Sequence, residues 1–146
     1  MDIFNKKIGY KAYKTLTTKQ REIYNFQKVS AVFADYGYSV TLLRDDVEFA
    51  DFVAVSFFGD KKRLFVQLKG GLTFGDKYLN KDLYICFPNK DKESNTWYLY
   101  PHDELYKELE SELCKRSKDW GIKHEYFAEP LPVWAKKFLD KYKIIN

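Results

Sequence analysis

The stretch Arg63-Leu64-Phe65-Val66-Gln67-Leu68-Lys69-Gly70 predicts an apolar β-strand that ends in polar side chains. Alternate side chains of a strand share a face, so we expect Phe65, Gln67 and Lys69 to lie together. An amide and a lysine at the end of an apolar strand lose hydration energy on burial unless a partner compensates for the loss. The stretch therefore predicts a polar site at the end of a strand.

Asp51 opens the preceding predicted strand, and a hairpin turn at Gly59-Asp60 joins the two strands. Its carboxylate is expected to compensate the amide and the lysine, either directly or through a divalent metal ion. This combination is typical of a metal-dependent phosphodiesterase site. The alternative is an ordinary ion pair between Asp51 and a nearby basic residue such as Arg44.

Length and composition predict one domain covering residues 1–146. Apolar residues make up 45% of the chain and aromatic residues 18%, which argues against disorder. The sequence contains no apolar run of membrane-spanning length, and its start lacks the apolar stretch of a secretory signal. We therefore expect a cytoplasmic protein with no membrane partner, in which Cys86 and Cys114 are reduced. The net charge of +4 favours nucleic acid as a partner only slightly.

The N-terminal part of the chain predicts an arm over residues 1–16, packed by Ile8, Tyr10 and Tyr13, followed by a helix. Thr17-Thr18 is the expected start of this helix, with a threonine cap, and Gly37 is the expected helix end. Apolar residues recur at helical spacing between them, at Phe26, Val29, Phe33 and Tyr36. Glu22 falls on the same stripe, so we expect it to project inward.

The element order predicts an α/β or α+β fold, of which we expect α/β, with a central mixed sheet of about five strands flanked by helices. The predicted strands are residues 38–43, 51–58, 63–70, 82–87 and 96–100. A helix after Pro101 carries leucines at helical spacing, and a last helix after Pro132 carries an apolar stripe from Trp134 to Ile145. Residues 17–105 would form the core, and residues 106–146 a C-terminal helical part.

Magnesium prefers hard oxygen ligands, usually one or two carboxylates completed by water, carbonyl and phosphate oxygens. Asp51 would supply the fixed carboxylate, and Gln67 would offer its amide oxygen. The backbone carbonyl of Leu68 and the carboxylate of Glu22 complete the candidate set. Lys69 shares the face of Gln67, so we expect its ammonium to contact the attacking water or the phosphate.

Asp51, followed by Gln67-x-Lys69 on the next strand and preceded by a helix bearing Glu22, resembles the PD-(D/E)XK nuclease superfamily. The resemblance covers residues 17 to about 100 and implies a restriction-endonuclease-like core with Mg²⁺-dependent DNA cleavage. It implies that Asp51 and Gln67 are metal ligands, that Lys69 is the catalytic lysine and that Glu22 assists. Segments after Gly70, among them Trp97-Tyr98-Leu99-Tyr100-Pro101-His102-Asp103-Glu104-Leu105, are similar to small uncharacterised bacterial members.

The chain departs from the superfamily pattern at two positions. Ala50 stands where a proline usually precedes the aspartate, and Gln67 stands where an acid is usual. Two functions therefore stay open. One is a DNA endonuclease that uses Mg²⁺, with Mn²⁺ as a substitute, and that would dimerise to cut both strands. The other is a degenerate module that binds nucleic acid or a protein without cleavage.

Residues outside this motif are weaker candidates. Lys77, Tyr78 and Lys81 follow the Gly70-Gly71 break and are expected either to contact phosphate or to lie in a solvated loop. Asp45 and Asp46 are expected to form a turn. His102 is expected to belong to a helix cap, and His124 has no partner pattern.

Overall fold

The computed structural model describes residues 7, 9–47, 49–90 and 96–145. These residues form an α/β fold in which helices flank a mixed sheet of six strands. The helices are α1 (Tyr10–Thr15), α2 (Thr18–Asp35), α3 (His102–Arg116), α4 (Trp120–Lys123) and α5 (Val133–Leu139). The strands are β1 (Tyr38–Val47), β2 (Ala50–Ser56), β3 (Arg63–Leu68), β4 (Leu72–Gly75), β5 (Leu83–Pro88), β6 (Thr96–Pro101), β7 (Glu125–Ala128) and β8 (Lys143–Ile145).

The main sheet has the strand order β1-β2-β3-β5-β6-β8. Only β3 and β5 run parallel, and every other neighbouring pair is antiparallel. The parallel pair requires a crossover between β3 and β5, and this crossover contains β4 and a 3-10 helix at Asp76–Tyr78. β4 leaves the main sheet and pairs with β7 in a separate two-stranded sheet.

Helix α2 covers one face of the main sheet. A capping box holds its start, because Thr17 Oγ1 accepts the Gln20 N–H and Gln20 Oε1 accepts the Thr17 N–H. The buried residues of α2 are Val29, Val32 and Phe33, and they pack on Phe52, Ala54, Leu64 and Val66 of the sheet. The predicted stripe is therefore correct in its middle, whereas Tyr36 at its end is exposed.

The opposite face of β5 and β6 packs against α3 and the C-terminal elements. The three predicted leucines of α3, Leu105, Leu109 and Leu113, are fully buried there, as are Ala135 and Leu139 of α5. Tyr100 is also fully buried, and its hydroxyl accepts the Thr73 N–H and donates to the Thr73 carbonyl. These bonds attach the small sheet to the main sheet.

The C-terminal part of the chain is not purely helical, contrary to expectation. The last helix ends at Leu139, a 3-10 turn covers Asp140–Tyr142, and β8 then pairs with β6. β8 contains Ile144 and Ile145, and β-branched residues favour strands. Trp134, Phe138 and Tyr142 of the expected stripe pack against the core, but Ile145 lies in β8. The expectation of one continuous last helix was therefore wrong, and β7 was also missed.

The arm and the first loop differ from expectation as well. The arm contains α1, and Tyr13 packs its ring on Tyr24 of α2, with ring centroids 5.3 Å apart. Residues 1–6 and Ile8 lie outside the described residues. Asp45 and Asp46 lie within β1 rather than in a turn, at a register irregularity between Leu42 and Val47.

None of the helices in the described part of the chain is long and apolar enough to cross a membrane.

Candidate functional site

Asp51 and the end of β3 are joined by a direct hydrogen bond. The Leu68 N–H donates to Asp51 Oδ2 over 2.8 Å, and the Asp51 side chain is partly buried. The bond fixes the carboxylate at the strand end that carries the polar side chains. A charged acceptor on a backbone N–H makes one of the stronger hydrogen bonds in proteins.

The register of the hairpin brings the other candidates to the same face. Val53 lies opposite Phe65, so two residues further along this antiparallel pair Asp51 lies opposite Gln67. Gln67 of β3 pairs with Ile85 of the parallel strand β5, and Ile85 belongs to the core that packs against α3. Asp51 and Gln67 therefore lie on the α3 side of the sheet, as their parity predicts.

Lys69 continues the ladder one residue beyond β3. Its N–H donates to the Cys86 carbonyl over 2.8 Å, so its side chain keeps the parity of Gln67. The Lys69 ammonium lies 5.6 Å from the centroid of the Tyr78 ring, within the range of a cation–π contact. Tyr78 is 2% exposed and gives the lysine a fixed aromatic support.

Glu22 does not join this group, and the expectation that it projects inward was wrong. Its side chain is 61% exposed and lies 3.6 Å from the ammonium of Lys19 on the same helix. Helix α2 also packs on the sheet face opposite to the one that carries Asp51 and Gln67. The buried residues of α2 all lie in its second half, so its first turns extend beyond the core.

The residues predicted to contact phosphate have different environments. Tyr78 is buried in the core and packs edge-on against His102, so its predicted role as a surface contact was wrong. Lys77 is half exposed and lies 3.9 Å from Glu125, while its ammonium is 5.1 Å from the Tyr78 ring centroid. Lys81 is half-buried in the turn before β5.

The candidate residues offer a magnesium ion one carboxylate and two neutral oxygen donors. Asp51 brings one anchored carboxylate, Gln67 a neutral amide oxygen, and Leu68 a backbone carbonyl next to the bond that fixes Asp51. These are the hard oxygen donors that Mg²⁺ accepts when water fills its remaining positions. Within residues 7, 9–47, 49–90 and 96–145, no three His, Cys, Asp or Glu side chains converge on one point. The residues fit a metal ion held by a single negative charge.

A cleft opens immediately after Lys69, and no short sequence motif predicts it. It has a volume of 440 Å³ and is lined by the Gly70-Gly71 turn, the end of β5, Pro130-Leu131 and α5. Its charged lining residues are Lys90, Glu129, Lys136, Asp140 and Lys143. Lys90 follows β5, whereas the other four lie between residues 129 and 143, so no short motif in the sequence contains all five.

His102 belongs to a buried structural network rather than to the candidate site. Its Nε2 accepts the Gly75 N–H over 3.2 Å, and its Nδ1 lies 2.9 Å from Asp103 Oδ1. Burial lowers the pKa of His102 below its usual range, although the Asp103 carboxylate opposes that shift. The imidazole is therefore neutral and connects the end of β4 to the start of α3.

Both cysteines have free thiols, in agreement with the expectation that they are unpaired. Complete burial raises the pKa of the Cys86 thiol, which makes it an inert core residue. Cys114 is exposed on α3.

Comparison of the chain with protein-family models, with curated protein sequences and with solved structures finds no match in any of the three.

Proposed function

We propose that this protein is a divalent-metal-dependent DNA endonuclease. The observation that carries the proposal is the shared face of Asp51, Gln67 and Lys69, with Asp51 anchored by the Leu68 N–H over 2.8 Å. A carboxylate, an amide oxygen and an ammonium at the ends of two paired strands are suited to a phosphodiester. The same pattern underlies the resemblance of the sequence to the PD-(D/E)XK superfamily.

Each residue has a distinct role in this proposal. Asp51 would hold Mg²⁺ or Mn²⁺ with the Gln67 amide and the Leu68 carbonyl. When bound, such an ion polarises a phosphoryl oxygen and lowers the pKa of water. Lys69, supported by the Tyr78 ring, would place its ammonium beside the phosphate oxygens and stabilise the charge that develops there.

A second candidate function follows from a separate observation. Position 67 carries an uncharged amide, and Glu22 is paired with Lys19 in solvent, which leaves Asp51 as the single acid of the group. A site with so little negative charge binds metal weakly. The same fold would then serve as a binding module for nucleic acid or a protein, without cleavage.

Cleavage of supercoiled plasmid in Mg²⁺ or Mn²⁺ tests the proposal. We expect Asp51→Asn and Lys69→Ala each to lower the nicking rate by about 100-fold or more. Asp60→Asn is the matched control, because Asp60 also accepts a backbone N–H, from Lys62 over 3.1 Å, but lies in the exposed hairpin turn. A monomer would nick one strand, whereas a homodimer would linearise the plasmid.

Two results would contradict the assignment. Metal-dependent nicking that survives both site substitutions would exclude Asp51 and Lys69 as the site. DNA binding without cleavage on plasmid, duplex and single-stranded substrates, together with no calorimetric signal for metal, would favour the binding module.

A further inference from the structure

The cleft beside Lys69 has the composition of a site for a phosphate-bearing ligand. Its volume of 440 Å³ falls in the range of about 300–1,000 Å³ that is common for small-molecule sites. Three lysines and two acids line it, which leaves a positive charge. Pro130, Leu131 and Val133 add an apolar wall, and Val133 is 83% exposed. A charged rim beside an apolar wall matches the two parts of a nucleotide.

The cations of the cleft are not fully neutralised by the acids. Lys90 forms an ion pair with Glu129, and Lys143 lies 3.0 Å from Asp140. Lys136 has no ion-pair partner among the residues that the structure describes, and it is exposed on α5. One lysine is therefore available to an anion without breaking an existing pair.

A further cation lies close to Lys90. Burial, and secondly the positive charge of Arg21, lower the pKa of Lys90 below its usual range. The guanidinium of Arg21 donates to the Lys14 carbonyl, and its Nε is buried without a hydrogen-bond partner in the described part of the chain. An anion bound at Lys90 would offset this repulsion by the positive charge of Arg21.

The cleft also connects directly with the candidate catalytic strand. Gly70 follows Lys69 in sequence, and a methyl group placed on Gly70 would lie 3.1 Å from Glu129 Oε2 and 4.0 Å from Lys90 Nζ. Phe87 lines the cleft and is the residue next to Cys86, whose carbonyl accepts the Lys69 N–H. If one nucleotide of a nucleic-acid strand contacts Lys69, the adjacent nucleotide would therefore lie in the cleft.

We propose that this cleft binds one nucleotide unit of an unpaired DNA strand, with its phosphate at Lys90 and Lys136 and its apolar part against Pro130-Leu131. The proposal rests on the proposed function and specifies its substrate class. A volume of 440 Å³ is large enough for one nucleotide. A base that packs inside the cleft cannot also pair with a second strand, so the proposed substrate carries a single-stranded end or flap.

Binding of a fluorescent single-stranded oligonucleotide in EDTA tests the proposal without any cleavage. We expect Lys136→Glu to weaken binding by about tenfold at about 0.1 M salt and to reduce the salt slope by about one. Lys137→Glu is the matched control, because Lys137 is the exposed neighbour on α5 and lies over Phe138, 4.9 Å from the ring centroid, outside the cleft lining. It should change affinity by less than about twofold.

Three outcomes would overturn the proposal. Equal weakening by both substitutions would mean that binding reflects net charge, and unchanged binding by Lys136→Glu would remove the cleft from the interface. Complete displacement of the oligonucleotide by inorganic phosphate or a mononucleotide at similar concentration would assign the cleft to a free phosphate compound.

A blunt duplex of the same sequence should bind equally well to the wild type and to Lys136→Glu.

The test separates this proposal from the proposed function. If no substrate is cleaved but Lys136→Glu still weakens single-strand binding, the cleft assignment stands and the nuclease assignment fails. If Lys69→Ala abolishes cleavage while Lys136→Glu binds and cleaves as the wild type does, the nuclease assignment stands and the cleft assignment fails.

Discussion

Asp51 and Leu68 are joined by a hydrogen bond of 2.8 Å between a side-chain carboxylate and a backbone N–H, across 17 positions of sequence. The bond closes the end of the β2–β3 hairpin beside Gln67 and Lys69. It places one negative charge at a fixed position next to an amide oxygen and a backbone carbonyl. The candidate site is arranged around this contact.

Removing the Asp51 carboxylate should destabilise the fold. Asp51→Ala leaves the Leu68 N–H of a partly buried strand end without this acceptor, so we expect unfolding free energy to fall by about 1–3 kcal/mol. Asp60→Ala, which removes a similar bond to the Lys62 N–H in an exposed turn, should cost about 0.5 kcal/mol or less. Urea denaturation of both variants measures the difference, and equal losses would show that the Asp51 bond is not structural.

Gln67→Glu should strengthen metal binding. The substitution adds a second carboxylate opposite Asp51, and affinity for divalent cations rises with the charge of the ligand set. We expect the dissociation constant for Mn²⁺ in calorimetry near neutral pH to fall by about tenfold or more. Gln27→Glu makes the same charge change at an exposed position of α2 and should leave the dissociation constant for Mn²⁺ unchanged. No gain in Gln67→Glu would argue against a metal at this end of the sheet.

Gly71→Ala should be strongly destabilising because of the close approach of two strands. A methyl group at Gly71 would lie 2.3 Å from the carbonyl oxygen of Ala128, where β4 begins its pairing with β7. We expect a loss of about 1–3 kcal/mol in unfolding free energy. Gly121→Ala is the control, since nothing lies within 4 Å of the added methyl group and Gly121 is in α4. The unfolding free energy of Gly121→Ala should rise by about 0.5–1 kcal/mol. Similar changes in unfolding free energy for the two variants would refute the packing argument.

Stability should fall as the pH drops below the usual pKa of histidine, about 6.5. Burial lowers the pKa of His102 in the folded state, so the unfolded chain binds a proton at a higher pH than the folded chain does. The stabilising effect is therefore fully present above about pH 6.5 and is lost as the pH falls toward the folded pKa.

Denaturation between about pH 5 and 7.5 measures this effect. His102→Gln keeps an acceptor for the Gly75 N–H and should have a flatter pH dependence than the wild type. An identical slope in His102→Gln would assign the pH dependence to other groups.

Local rules were sufficient for the central hairpin. The two-residue period of strands put Gln67 and Lys69 on one face, and the turn at Gly59-Asp60 brought Asp51 to them. Burial in the middle of α2 was also visible in its helical spacing. These features depend on residues that are close in sequence, so the pattern itself contained the information.

The position of Glu22 could not be predicted in the same way. Helical spacing places Glu22 in line with Phe26, but spacing does not say how far the sheet extends beneath the helix. The core stops short of the first turns of α2, so Glu22 stays in solvent with Lys19. The expected accessory ligand depended on where two distant elements end relative to each other.

The alternation that assembles Asp51, Gln67 and Lys69 is readable in the sequence, because strand parity and a short turn are local properties. Three other features arise only in the folded chain: β8 completes the main sheet, β4 leaves it to pair with β7, and a lysine-lined cleft opens beside Lys69. Each of these requires segments far apart in the chain to meet. Such pairings are selected by burial of the whole core, which short-range patterns do not encode.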